Sequence, residues 1–233
     1  MFKKILGIAS LLALGACASP YVATPYDRAA HNVQSITMID DALPEKAIAY
    51  EVASVGSNFG LIGALVDAGI QASRQDAVND ALVGVKFDAE DKLEDRLVSA
   101  LAVHGYKVAP LSGQPRAKRD LLETYPDAAE GVDAYLDVSI THYGYMSSGA
   151  GQPFRPSVGA EVRLVKVSDR STLMENIIVY NPLAPIEGVV TLPPNPQYVF
   201  TNRADLLENP DRLAAGIEDA LNQVADTAAR LLQ

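Results

Sequence analysis

From Asn209 to the end of the chain, apolar residues return at steps of three and four: Leu213, Ile217, Leu221, Val224, Ala228 and Leu231. That period, close to 3.6, predicts one long amphipathic helix with a single apolar stripe. Pro210 suits its first turn, and Asn209 is placed to cap it. A stripe of this length must be buried against another layer, and the upstream sequence supplies one. Residues 46–56 alternate, with Ile48, Tyr50 and Val52 on one side and Ala47, Ala49, Ala53 and Val55 on the other. Residues 133–146, 158–167 and 173–181 also read as strands, the last two joined by the turn "SDRST". A second marked helix covers 88–108, where Asp88 is the cap and acids at 90, 91, 94 and 95 favour the positive end of the dipole. Leu93, Leu97, Ala100 and Leu101 form its stripe, Gly105 closes it, and a short strand follows from Tyr106. Strands and helices in this order predict an α/β (α+β) domain: a single mixed sheet of about four to six strands with the helices at 88–104 and 210–232 packed on it.

Between the first strand and helix 88–108 lies "GLIGALVDAGIQASRQDAVNDAL", 60–82, a helical pattern carrying glycines at 60, 63 and 69. Interior glycine costs about 1 kcal/mol against alanine in a helix, so its presence implies that another backbone comes close. Two readings follow: a core helix packed tightly on the sheet, or a helix that oligomerises or enters the bilayer. Residues 112–132 read as a polar loop with a short helix near 117–124. Residues 145–157 and 182–197, the latter with five prolines, are long loops that could form a partner-binding face. Residues 18–44 show neither strand nor helix period and contain three prolines, which predicts a tether.

The amino-terminal end is different in kind. Lys3 and Lys4 precede an apolar run from Ile5 to Leu14, the length of a signal-peptide core and about half of what spans a bilayer. The run ends in Leu14-Gly15-Ala16-Cys17, and Cys17 is the only cysteine of the 233 residues. An exported protein with one thiol has no internal disulfide partner for it. These four residues resemble the bacterial lipobox: an aliphatic residue, two small ones, then cysteine. The resemblance implies that the Cys17 thiol accepts a diacylglyceryl group, that the chain is cut before Cys17, and that the new amino terminus is acylated, palmitate being a common chain. Because one acyl chain anchors only marginally, several make the attachment firm. Ala18, rather than an aspartate, follows the cysteine, which in Gram-negative lipoproteins implies sorting to the outer membrane. The resulting division is a signal peptide at 1–16, a lipidated tether at 17–44 and a periplasmic α/β domain at 45–233.

Charge narrows the partners. The whole chain carries −10, and loss of Lys3 and Lys4 takes it to −12. Such a surface repels nucleic-acid phosphates and anionic lipid heads, so the expected attachment to the membrane is through lipid rather than charge. His31, His104 and His142 stand at no metal-ligand spacing, and no Gly-x-Ser-x-Gly elbow, HExxH pattern or phosphate-binding loop occurs; "GSNFG" at 56–60 lacks the lysine such a loop needs. Adjacent acids such as Asp40-Asp41 and Glu94-Asp95 do not face one another. The nearest approach to a polar site is Asp137 with Tyr135 and Tyr143 on one side of a strand. No catalytic, cofactor-binding or metal-binding residues are therefore assigned, and Cys17 is the one site residue, for lipid attachment.

"GLIGALVDAGIQASR" and "YVFTNRADLLENPDRLAAGIEDAL" are similar to segments of uncharacterised proteobacterial envelope lipoproteins. The order of elements distantly resembles the small domains of penicillin-binding-protein activators, CsgG-type secretion lipoproteins and the amino-terminal domain of TolB. The leading expectation is a non-enzymatic outer-membrane lipoprotein that binds or helps assemble another envelope component. Two others stand beside it: an oligomeric, membrane-active lipoprotein using the glycine-rich helix, and a periplasmic hydrolase with an unrecognised site.

Overall fold

The computed structural model describes residues 21–40, 42–52, 60–111, 116, 118–184 and 186–233, with side chains of the first long helix described from residue 72 onward. The strands are β1 (Ser35–Ile39), β2 (Ile48–Glu51), β3 (Lys107–Leu111), β4 (Ala134–Ser147), β5 (Arg155–Lys166), β6 (Thr172–Tyr180) and β7 (Val190–Leu192). The helices are α1 (Arg28–His31), α2 (Gly60–Gly84), α3 (Ala89–Val103), α4 (Arg203–Glu208) and α5 (Pro210–Arg230). One mixed sheet of seven strands runs β3-β1-β4-β5-β6-β7, with β2 beside β4. The mixed sheet with helices on it is the predicted fold class, and the strands beyond the predicted range are β1 and β7.

β4 organises the sheet because it is 14 residues long and borders two strands in turn. Its first residues pair in parallel with β1 (Ile36 opposite Ala134), and its last with β2 (Ile48 opposite Gly144). Ala42 bridges the gap between them, opposite Ser139. Asp133 sets the register at the lower end, its Oδ2 accepting from the Gln34 and Ser35 amides at 2.9 Å each. At the upper end Gly144 has φ +133, and a Cβ there would stand 2.2 Å from the Ile48 carbonyl oxygen. Only glycine permits β2 to lie that close.

β1 corrects the reading of 18–44 as featureless tether. "SITMI" is central to the sheet and buried on both faces, so it has no polar side to alternate with. The chain is already engaged at Thr24, which pairs antiparallel with Glu175 on β6. Further along, Arg28 lies over the Tyr106 ring at 4.8 Å and donates to the His104 carbonyl at 2.9 Å.

One face of the sheet carries the helices. Leu136, Val138, Ile140, Val158, Val162, Leu164, Met174 and Ile178 meet Leu93, Leu97 and Leu101 of α3 and Leu213, Ile217, Leu221, Val224 and Ala228 of α5 in one core. Fully burying the four large side chains Leu213, Ile217, Leu221 and Val224 contributes roughly 6–12 kcal/mol before chain entropy is subtracted. Asp88 caps α3 as predicted, accepting from the Glu90 and Asp91 amides at 3.0 and 3.2 Å. Asn209, by contrast, makes no side-chain cap to α5; its amide donates instead to the Asp205 carbonyl, ending the preceding helix α4. No helix among the described residues is long and apolar enough to cross a membrane.

The opposite face is covered by chain without regular structure. Residues 119–126 lie over Tyr135, Asp137 and Ser139 of β4; the short helix predicted near 117–124 is absent from the described residues 118–124, which are irregular with bends. The proline loop at 182–197 holds β7 and a 3-10 turn, Pro196–Tyr198, that the sequence period did not reveal.

Candidate functional site

The polar group singled out in the sequence sits on that opposite face, and the structure rearranges its membership. Tyr135, Asp137 and Ser139 share a side of β4. After Ile140 the strand bulges, so that His142 rather than Thr141 stands opposite Gly159. The extra residue reverses the alternation beyond it. Tyr143 is thereby turned into the helix-side core, away from Asp137.

Asp137 is fully buried, and its carboxylate is filled by its own chain. Oδ1 accepts from Arg116 Nη2 at 2.6 Å; Oδ2 accepts from the Leu122 amide at 2.7 Å and the Tyr125 hydroxyl at 2.9 Å. Arg116 also donates through Nε to the Asp40 carbonyl at 2.7 Å and through Nη1 to the Asp120 carbonyl at 3.0 Å. Tyr135 donates to the Pro126 carbonyl at 2.6 Å, and Ser139 to the Arg119 carbonyl at 2.9 Å. Burial, with the neighbouring carboxylate, drives the Tyr125 hydroxyl pKa upward, so it stays protonated and donates. This arrangement can fasten an irregular segment to a sheet. It leaves neither carboxylate oxygen pointing at a cleft.

Above the bulge, His142 Nε2 lies 3.0 Å from Ser157 Oγ, the closest approach of an imidazole to a hydroxyl among the described residues. Ser157 is buried, and its hydroxyl donates to the Tyr180 carbonyl at 3.3 Å. Burial lowers the His142 pKa, which keeps the ring neutral. The other histidines lie elsewhere: His31 stacks on Tyr26, and His104 ends α3 beside Gln233. Among the described residues no group of three or more His, Cys, Asp or Glu could hold a metal ion. Cys17 and the loop 56–59 lie outside the described residues, as do the side chains of the glycine-rich stretch 60–70.

A groove of about 270 Å³ lies between the carboxyl-terminal ends of α3 and α5, lined by Arg96, Ser99, Ala100, Val103, Asp226 and Arg230 with His104 and Gln233. Arg96 spans it with two bonds to Asp226, Nε to Oδ1 and Nη2 to Oδ2, both 2.7 Å. Arg230 turns back to Thr227 Oγ1 at 2.6 Å. Val103 stands on the rim with 82% of its surface exposed. The sequence carries a trace of it: Val103 is two positions past Leu101, on the side of the helix away from the buried stripe. The Arg96–Asp226 pairing across 130 positions left no such trace.

No family model matches the chain, and no curated protein matches it. Among solved structures it is similar to the DUF330-family protein XCC0632 of Xanthomonas campestris, at 14% identity over 90% of each chain with a TM-score of 0.43. It is also similar to lipoprotein GNA1162 of Neisseria meningitidis, at 17% identity over 63% of this chain and 81% of that one, with a TM-score of 0.30. At these identities and TM-scores neither likeness assigns the chain a family.

Proposed function

We propose that this chain is a lipid-anchored protein of the bacterial outer membrane whose domain faces the periplasm and binds or helps assemble another envelope component, without catalysis of its own. The observation that carries the anchor is Leu14-Gly15-Ala16-Cys17 directly behind the apolar run, only four positions ahead of Tyr21, where the described fold begins. One arrangement supports a binding role over a hydrolytic one: the Asp137 carboxylate is committed to Arg116, Leu122 and Tyr125. The binding face in this reading is the α3–α5 groove with its exposed Val103. The fold analogy to penicillin-binding-protein activators, CsgG-type lipoproteins and TolB belongs to the same reading, and β1 and β7 are the strands it has to accommodate.

Cys17→Ser separates the parts. Lipidation and cutting should both fail, so the protein should keep its leader and move from the outer- to the inner-membrane fraction of a density gradient. An unchanged outer-membrane position would refute the anchor. For the binding face, a photo-reactive residue at Val103 should give a discrete cross-linked product in intact envelopes that is lost with Arg230→Glu. Identical products from Val103 and from the exposed Val83 would refute the groove as the face used.

A further inference from the structure

We infer that the domain rests directly on the bilayer, through an apolar patch formed by Val22, Leu183 and Ile186 at the β6–β7 edge. The inference rests on the anchor at Cys17 proposed above and adds to it an orientation and a contact surface.

The length of the connection decides the matter. Four steps of chain separate Cys17 from Tyr21, which at full extension span no more than about 14 Å. A folded body of this chain length has a radius of gyration of roughly 17 Å. A leash shorter than the radius of what it holds cannot let the body turn over, so the side that carries Tyr21 faces the lipid. The tether inferred from residues 18–44 would have allowed free rotation, but β1 and the Thr24–Glu175 pair place most of that stretch inside the fold.

Tyr21 lies near Glu161, Arg163 and Glu175 of the sheet and against the loop joining β6 to β7. Tyr21 is seated against Gly188 of the loop joining β6 to β7: a Cβ on Gly188, at φ +77, would stand 2.1 Å from the Tyr21 carbonyl oxygen. The amino-terminal entry and this loop therefore touch. On these two segments Val22 is 80% exposed, Ile186 48% and Leu183 42%. Glu187 is the one charged residue between Asn181 and Val190, in a chain of net charge −10. Such a patch is attracted by the apolar boundary of the head-group layer, where the acidic remainder of the domain is not. α3, one wall of the groove, packs against β3 and α5 on the helix face, whereas the patch lies at the β7 edge of the sheet.

The test uses the full, processed protein in vesicles of phosphatidylethanolamine and phosphatidylglycerol. With Cys17 blocked by lipid, an introduced cysteine is the only thiol open to a polarity-sensitive fluorophore. Val22→Cys, Leu183→Cys and Ile186→Cys are compared with Val83→Cys and Val103→Cys, all at exposed positions. The first three labels should be quenched several-fold more strongly by brominated lipid than the last two, with blue-shifted emission. Equal quenching at all five positions, on protein whose Cys17 thiol is blocked, would overturn the contact while leaving the anchor intact. Labelling of the parent protein at Cys17 would overturn the anchor and the contact together.

Discussion

Replacing Asp137 with asparagine tests the physical account of the fold at its most demanding point. The carboxylate is fully buried and receives donors at 2.6, 2.7 and 2.9 Å from Arg116, Leu122 and Tyr125. In Asp137→Asn one oxygen becomes an NH2 group that meets a donor with a donor, and the Arg116 guanidinium, 7% exposed, loses its counter-charge. Breaking one side of a buried pair costs about 3–5 kcal/mol, a large share of the roughly 5–15 kcal/mol that holds a domain together. Arg116→Met should cost a similar amount, since it strands the carboxylate. The double variant should cost less than the sum by about 0.5–3 kcal/mol, because neither residue is then left charged and alone. The chain has no tryptophan, so urea unfolding is best followed by far-ultraviolet circular dichroism. With a slope near 2 kcal/mol per molar urea, the midpoint of Asp137→Asn should fall by about 1.5–2.5 M. A fall under about 0.3 M, or strict additivity in the double variant, would refute the claim that this carboxylate pins the 116–125 segment to the sheet.

Gly144→Ala should destabilise by about 1–3 kcal/mol from backbone strain alone, and by more from the contact with the Ile48 carbonyl; a midpoint within error of the parent would show that β2 does not approach β4 so closely. Asp88→Ala removes the bonds to the Glu90 and Asp91 amides, and should lower stability by about 1 kcal/mol with the fold unchanged by circular dichroism. His142 gives a pH dependence. Burial lowers its folded pKa below the ordinary 6.5, so the unfolded chain binds the proton more readily. Its contribution is whole above 6.5 and declines as pH falls toward the folded pKa, by at most about 1.4 kcal/mol per pH unit. The stability advantage of the parent over His142→Gln should therefore shrink between pH 7 and pH 5, and a constant difference across that range would contradict the burial of a neutral ring.

The elements with a strong period were legible. The α5 stripe at Leu213, Ile217, Leu221, Val224 and Ala228 is buried as its spacing required, and Asp88 and Gly105 bound α3 as their chemistry implies. β1 escaped because a strand buried on both faces reads as a short apolar run, with Thr37 in its middle. β7 is three residues long among prolines, too short for any period to register. Part of the polar face was legible as well: Tyr135 and Asp137 do stand together. Tyr143 does not, because a one-residue bulge at Thr141 reverses every side chain after it, and nothing in the local sequence marks where that residue is inserted. The donors to Asp137 come from an irregular segment whose path is set by those very bonds, so their convergence became visible only in three dimensions.

The central claim is that a short lipidated leash at Cys17 holds this domain to the membrane. Intact-mass analysis of the protein extracted from native envelopes tests it most directly. The expected product is a chain that begins at Cys17 and carries a diacylglyceryl group on sulfur with a further acyl chain on the amino terminus. A free Cys17 thiol, or a leader still joined to Ala16 and Cys17, would contradict it.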